Sequence, residues 1–446
     1  MKQLSLVTGS LTAIAAAFSI GIAACSANDS PNLALTASGD DPDSATSAQV
    51  ADILSSVDAS IRDQYSGDND AAPEPGVTID HSQSQTARRG RFPGLVQTNL
   101  VANNHDFGAQ IVEPELRNAW GIAIRPAGAG GHFWVGAAET GKSIQYVGDV
   151  DGTPLFQDEL KIVDTRGPVT GVAFNHGPQF MITQSHENGE ITNPSKFFFA
   201  NLSGSITAWT ERARPDGGFD HPTDAVVVVD GSARRSAFFG VTVAPAGDRM
   251  FAADFGAQAA LRVFDGQFNE HAALANPFDA GNGPEFAAFN VQTLDQRVFA
   301  MYGRHVAPDT QPRPTDGRLA EFDGNGQFVA RWHGRGLLNY PWGIAQAPKD
   351  FGLYSGCLLV GNFGDGTMVA FHPRLKVALD YVRDDRGERV RIDGLWGLQF
   401  GNGASLGTAN HLYFAAGPNK EQDGLFGKLQ ANPRTLPPLR RLSMCH

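Results

Sequence analysis

Basic charge is in short supply in this sequence. Lys and Arg number 35 against 47 Asp and Glu, giving a formal net charge of −12. Phosphate backbones are gripped by a basic surface, so this balance argues against nucleic acid as a partner. Cysteine is scarcer still, with Cys25, Cys357 and Cys445 the complete set. There is no CxxC pair, which excludes the usual zinc-ribbon and dithiol redox sites. HExxH is also absent, and the twelve histidines include no His-x-His and no i,i+4 pair, so a histidine metal cage is not expected. The acidic clusters Asp40-Asp41-Pro42-Asp43 and Asp149-Val150-Asp151 lack the spacing and final bidentate Glu of an EF-hand loop. Long apolar runs are confined to one place, Leu4 to Ala24.

That run comes after Lys2 and ends in Ile22-Ala23-Ala24-Cys25. A positive residue, an apolar stretch and a small-residue cleavage site make a secretory signal. It looks like a bacterial lipoprotein signal over residues 1–24, with Cys25 lipidated as the new N-terminus. Ser26, in place of Asp, favours outer-membrane sorting. An uncleaved membrane anchor is the alternative, because the run is long enough to span. Residues 25–92 are rich in Ser, Asp, Ala and Pro and read as a disordered tether. Within them Val50, Ile53, Leu54, Val57 and Ile61 fall at helical spacing and predict a short amphipathic helix over Ala48–Tyr65, expected to have no fixed partner. Arg88, Arg89 and Arg91 read as solvated linker.

Beyond the tether the chain is repetitive. The segments NAWGIAI (Asn118–Ile124), VTGVAF (Val169–Phe174), FFGVTV (Phe238–Val243), AFNVQT (Ala288–Thr293), PWGIAQ (Pro341–Gln346) and LWGLQF (Leu395–Phe400) are copies of one strand. A second strand recurs as His132–Gly136, Phe180–Thr183, Met250–Asp254, Arg297–Tyr302, Leu358–Asn362 and Leu412–Ala416. The copies are spaced by about 50 residues, with one interval near 70, which is the length of a propeller blade. A three-stranded meander cannot bury both faces alone, so the copies must pack on one another. The fold class is therefore all-β: a six-bladed β-propeller of four-stranded antiparallel blades over residues 93–431, with a C-terminal tail at 432–446. Within the first strand, alternation puts Trp120, Ile122 and Ile124 on one face and Gly121 and Ala123 on the other, so that bulky faces meet small ones between blades. Asn290 takes the small position in the fourth copy and needs hydrogen-bond partners if buried. The strand at Leu95–Ala102 is expected to close the ring by completing the last blade.

In a meander, the start of the first strand and the end of the second lie at the same face. Asn118, Thr170, Ser236, Asn339 and Asp393 precede first strands, and Glu139, His186, Asp254, Asn362 and Asp365 come after second strands. These oxygen-rich side chains are expected to ring one mouth of the central channel, where they suit Ca²⁺ or a sugar-like ligand. Asn118, Glu139, His186, Asn339, Asp365 and Asp393 are the candidate ligand-binding set, and Asp254, Asn290 and Asn362 the candidate metal set. Cys357 and Cys445 either form a disulfide or stay as two thiols; spacing does not decide it.

The segments NLVANN and IVEPELRNAWGIAI, SGSITAW, FAAFNVQ, NYPWGIA, LLVGNFGDG and IDGLWGLQFGNG resemble those of a secreted bacterial β-propeller family of NHL-repeat-like architecture. The resemblance covers about residues 95–430 and implies the fold and export, with no activity or site residue to carry over. Ala137 departs from the acidic residue usual after the second strand. Two functions fit. One is a lipid-tethered envelope binding or scaffold module, monomeric, gripping a carbohydrate, peptide or envelope protein at the channel mouth. The other is a Ca²⁺-assisted lactone or ester hydrolase of gluconolactonase type, with Asp254, Asn290, Asn362 and Asp393 holding the ion and Glu139 or His186 as base.

Overall fold

The computed structural model describes residues 48–56, 92–279, 285–305, 312–432 and 443–445. Cys25 and the signal lie outside them. Six antiparallel sheets are arranged radially as a β-propeller. Their first strands are Ala119–Ala123, Val169–Phe174, Phe238–Val243, Phe286–Leu294, Pro341–Gln346 and Leu395–Phe400. Each sits where the repeat predicts it. These strands are buried nearly throughout because both of their faces press on neighbouring blades.

The ring closes as expected. Leu95–Ala102 pairs antiparallel with Leu425–Ala431 on the outside of blade 6, so the first and last strands of the domain share one sheet. A short strand, Ile111–Val112, adds in parallel beyond it.

Blade 2 departs from the sequence reading. Its second strand is Phe197–Asn201, not Phe180–Thr183. The latter segment enters a separate hairpin, Met181–Gln184 paired with Ile191–Pro194. Burial explains the exchange. Met181 and Thr183 are exposed while Ile182 and Gln184 are buried, the pattern of a hairpin with one wet face. Phe197, Phe198 and Phe199 are fully buried on both faces, as an inner strand requires. The long repeat interval is this inserted hairpin.

Strict alternation also fails inside the first strands, because each pairing slips by a bulge near its start. Trp120 thereby leaves the face of Ile122. It packs at the axis with Phe239, Phe289, Tyr340, Trp342 and Trp396, while Ile122 packs in the seam of blades 6 and 1. The small face behaves as expected. A Cβ on Gly121, Gly171, Gly343 or Gly397 would strike the first strand of the next blade. Gly240 makes room for the side-chain oxygen of Asn290, whose Nδ2 donates to Trp342 O at 2.7 Å.

Cys357 and Cys445 are joined in a disulfide, 88 residues apart in sequence, which ties residues 443–445 to blade 5. Beside it lies the segment expected to have no partner. Residues 48–56 form a helix, and Val50 is fully buried in the cluster of blades 5 and 6 that includes Phe351, Leu353, Tyr354 and Met444, with Ile53 and Leu54 half-buried against it. The helix docks because its apolar stripe meets an apolar seam, which the periodicity alone did not show.

Candidate functional site

The mouth at the strand-start face is closed by aromatic rings. Trp396 stacks on Trp120 with centroids 3.6 Å apart, and Phe363 stacks on Trp396 at 3.8 Å. Trp342 meets Trp120 edge-on at 6.0 Å, and Phe239 and Phe289 complete the cluster. Trp120 Nε1 donates to Asn118 Oδ1 at 2.7 Å and Trp342 Nε1 to Phe239 O at 3.0 Å. The aromatic residues that begin the repeats therefore plug the channel.

Around this plug the expected ligand residues serve the turns. Asp254 is 0 % exposed; its Oδ1 accepts from Ala237 N at 3.0 Å and Gly256 N at 2.9 Å, and its Oδ2 accepts from Arg262 Nε at 2.7 Å. Asn362 Oδ1 accepts from Asn339 N, while its Nδ2 donates to Leu337 O and Thr367 Oγ1. Asp365 Oδ1 accepts from Thr367 N and Oγ1, and Asp393 Oδ2 from Asn419 N. Asp254 and Asn362 thus do the same work in blades 3 and 5, clamping the chain that enters the first strand to the end of the second. Their recurrence in sequence is the recurrence of a clamp. Among the described residues no three His, Cys, Asp or Glu side chains are grouped as a metal site would need.

His186 is misplaced by the blade 2 reassignment. It lies in the turn of the inserted hairpin, between the first and second strands, and its Nδ1 accepts from Asn188 N. That connection belongs to the opposite face of the propeller. Glu139 does lie at the strand-start face, exposed in the turn after the second strand of blade 1. Close to it the sequence reading missed Glu421. This carboxyl is buried over Asn118, and burial together with the charge of Glu139 pushes its pKa up to about 7. Asn419, Lys420 and Glu421 are consecutively left-handed, at φ 54°, 57° and 67°. Three such residues in a row are costly, so the fold enforces this turn. The spacing of repeats could not mark Glu421, because the turn between second and third strands is longer in blade 6 than in blades 1, 3 and 5 and puts Glu421 at no repeated position.

Two motif-like strings prove incidental. Gly136–Ser143 reads GAAETGKS, the P-loop pattern, but it is the hairpin turn between two strands of blade 1 with no helix after it, and Lys142 pairs with Glu115 at 2.7 Å. Gly403–Gly407 reads GASLG, the nucleophile-elbow pattern, in a loop whose amides donate to Asn402 Oδ1. No histidine bonds Ser405 among the described residues.

The channel opens on the other face, where first strands end. A cavity of about 200 Å³ is floored by Trp342 and Asn290 and walled by Thr242, Gln292, Thr293 and Gln399. It shares Gln292, Thr293 and Gln399 with a neighbouring space of about 250 Å³ that reaches Gln346. Ile124, Phe174, His176, Thr293 and Gln399 connect it to an outer space of about 620 Å³, rimmed by Arg125, Asp295, Phe400 and Asn402. Gln346 is held by Gly356 O at 2.8 Å. Arg125 is paired with Glu211 at 2.7 Å. Aliphatic residues such as Ile122, Val172, Val241 and Leu398 make up much of the inner basin. The Thr242 and Thr293 hydroxyls are engaged by Thr293 N and Val243 O, Gln292 and Gln399 contribute amides, and no carboxylate lines it.

No protein-family model matches the chain. It is similar to three proteins of Acanthamoeba polyphaga mimivirus. Uncharacterized protein R648 is 28% identical over 341 residues, covering 74% of this chain and 79% of that protein. Uncharacterized protein L690 is 26% identical over 343 residues, covering 75% and 85%. Uncharacterized protein R640 is 26% identical over 226 residues, covering 48% and 39%. These relatives are viral, whereas the sequence resemblance pointed to a bacterial family. Among solved structures, a chain of a nidogen/laminin complex aligns with TM-score 0.38 and 13% identity over 63% of this chain and 84% of that one. A gluconolactonase from Xanthomonas campestris aligns with TM-score 0.31 and 13% identity over 71% and 99%.

Proposed function

We propose that this β-propeller is a binding module whose ligand enters the basin at the strand-end face and is an uncharged, hydroxyl-rich molecule, a carbohydrate. One observation carries the reading: the amides of Gln292 and Gln399 and the side chain of Trp342 line one basin with aliphatic residues and no charged carboxylate. Amides both donate and accept, which matches sugar hydroxyls, and Trp342 with the aliphatic walls matches a sugar's apolar face. The site is the mouth opposite the one the sequence reading favoured. Peptides and envelope proteins are the competing ligands.

A glycan array probed with the full chain, then calorimetry on any hit, tests the proposal. Gln292→Ala and Gln399→Ala are each expected to weaken binding about tenfold, the loss of one or two hydrogen bonds. Retention of full affinity in the double variant would refute the assignment. Calcium-assisted hydrolysis gains no support from the geometry, since Asp254 is neutralised by Arg262 and Asn362 is engaged by backbone.

Export and lipid anchoring at Cys25 belong to the same proposal, supported by the signal-like N-terminus. Radiolabelled palmitate should enter the wild-type chain and not Cys25→Ser when both are expressed in a bacterium. Equal labelling, or an equal soluble share of both, would count against an anchor.

A further inference from the structure

Another cavity lies far from the channel axis. It measures about 860 Å³ and lies at the strand-start face of blade 4, where Phe286 opens the first strand, Gly317 the third, and Trp332 closes the fourth. Arg318, Arg331 and Arg335 all line it. None of the three has a carboxylate within 4 Å among the described residues, although nearby Arg304 and Arg313 are paired with Glu285 and Asp316. Three unpaired guanidiniums around one cavity are unexpected in a chain of net charge −12.

Each is held in place by contacts that leave donors over. Arg318 lies 4.0 Å from the Phe286 ring centroid and donates through Nη1 to Thr315 O and Gly317 O, leaving its other edge open. Arg331 lies 5.7 Å from the Phe278 centroid and donates through Nε and Nη2 to Pro277 O, leaving Nη1. Arg335 is fixed at φ 48° and donates through Nη1 to Ala378 O and Leu379 O. A guanidinium stacked on a ring is oriented before any ligand arrives, so less entropy is lost when a ligand binds. Two carboxylates also face the cavity. Glu285 is drawn to Arg304 at 3.6 Å, and Asp279 lies at the Phe278 side.

We infer that this cavity is a binding site for a small organic oxyanion, a phosphate or carboxylate group carried on an apolar or aromatic body, with Arg318, Arg331 and Arg335 gripping the anion and Phe278 and Phe286 flanking the body. Burial pulls the Arg318 pKa down from its usual value, and the charges of Glu285 and Asp316 offset only part of that cost. The site is on the opposite face from the proposed carbohydrate basin and stands independently of it.

Calorimetry on the full chain with phenyl phosphate, benzoate and phenol is the test. At least one of the two anions should bind, phenol should not, and affinity should fall as KCl is raised. Arg331 is exposed, so Arg331→Gln should keep the fold and weaken anion binding about tenfold, with Arg318→Gln/Arg331→Gln losing it. Gln292→Ala in the other basin should leave it unchanged. The inference fails if neither anion binds at millimolar concentration, if phenol binds as well, or if Arg331→Gln binds with wild-type affinity.

Discussion

Glu421 shows how a single residue carries strain for the whole molecule. Its carboxyl is buried beside Asn118, and Glu139 adds a like charge nearby, so the neutral form is favoured in the fold. Linkage gives the sign. A folded pKa of about 7 above an ordinary value of 4.5 means the native state holds the extra proton between these limits. Its contribution to stability is therefore full below about pH 4.5 and is lost as pH rises through 7, by on the order of 3 kcal/mol. Glu421→Gln should have a thermal midpoint less sensitive to pH between 5 and 8 than the wild type, and higher at pH 8. Parallel pH profiles would show that the carboxyl is not buried as described. Asp254 gives the converse lesson. Its acid character and position were plain in the sequence, but the role they implied was not, because a carboxylate that clamps two backbone amides looks in sequence like one that awaits a ligand.

At the scale of elements, the first and second strands of five blades were readable, and in blade 2 the first was and the second was not. Period and spacing locate a strand, yet two apolar segments competed for one place, Phe180–Thr183 and Phe197–Asn201. The continuous run Phe197-Phe198-Phe199 was the better signal, since an inner strand is buried on both faces while the hairpin alternates. The helix at 48–56 is a second such element. Its apolar stripe was visible, but its partner is a seam that brings together Leu95 and Ala102 with Phe351, Leu353, Tyr354 and Met444 from far along the chain. Isolated, so short a helix is marginal, and tertiary packing must supply its stability. Val50→Asp should therefore free this segment without unfolding the blades. Limited proteolysis should cut within 48–56 faster in the variant, with the propeller's melting unchanged; equal cutting rates would remove the docked helix from the description.

For the molecule as a whole, closure decides stability. Leu95–Ala102 holds the first and last blades together through its pairing with Leu425–Ala431, and the disulfide Cys357–Cys445 fastens the C-terminal residues nearby. Removing the closing strand leaves the outer edge of Leu425–Ala431 unpaired and unfastens the ring. A chain lacking residues 1–102 should be insoluble or melt well below the wild type, measured by scanning calorimetry, and an unchanged midpoint would show that closure is not needed. The charge of the molecule is likewise uneven: acidic in sum, with unpaired arginines gathered on one flank of blade 4.

By itself the sequence determined the repeat, and with it the six-bladed ring, the closing strand and the glycines that let blades approach, because each of these rests on local periodicity and side-chain size. Only the tertiary structure decided which mouth is open. The same Trp120, Trp342 and Trp396 that mark the repeats meet across the axis, and whether they line a channel or stopper it depends on bulges that turn them inward. Side chains contributed by blades hundreds of residues apart set that outcome. The pairing of Cys357 with Cys445, the burial of Glu421 and the arginine-lined cavity were settled in the same way, by distances that no spacing along the chain records.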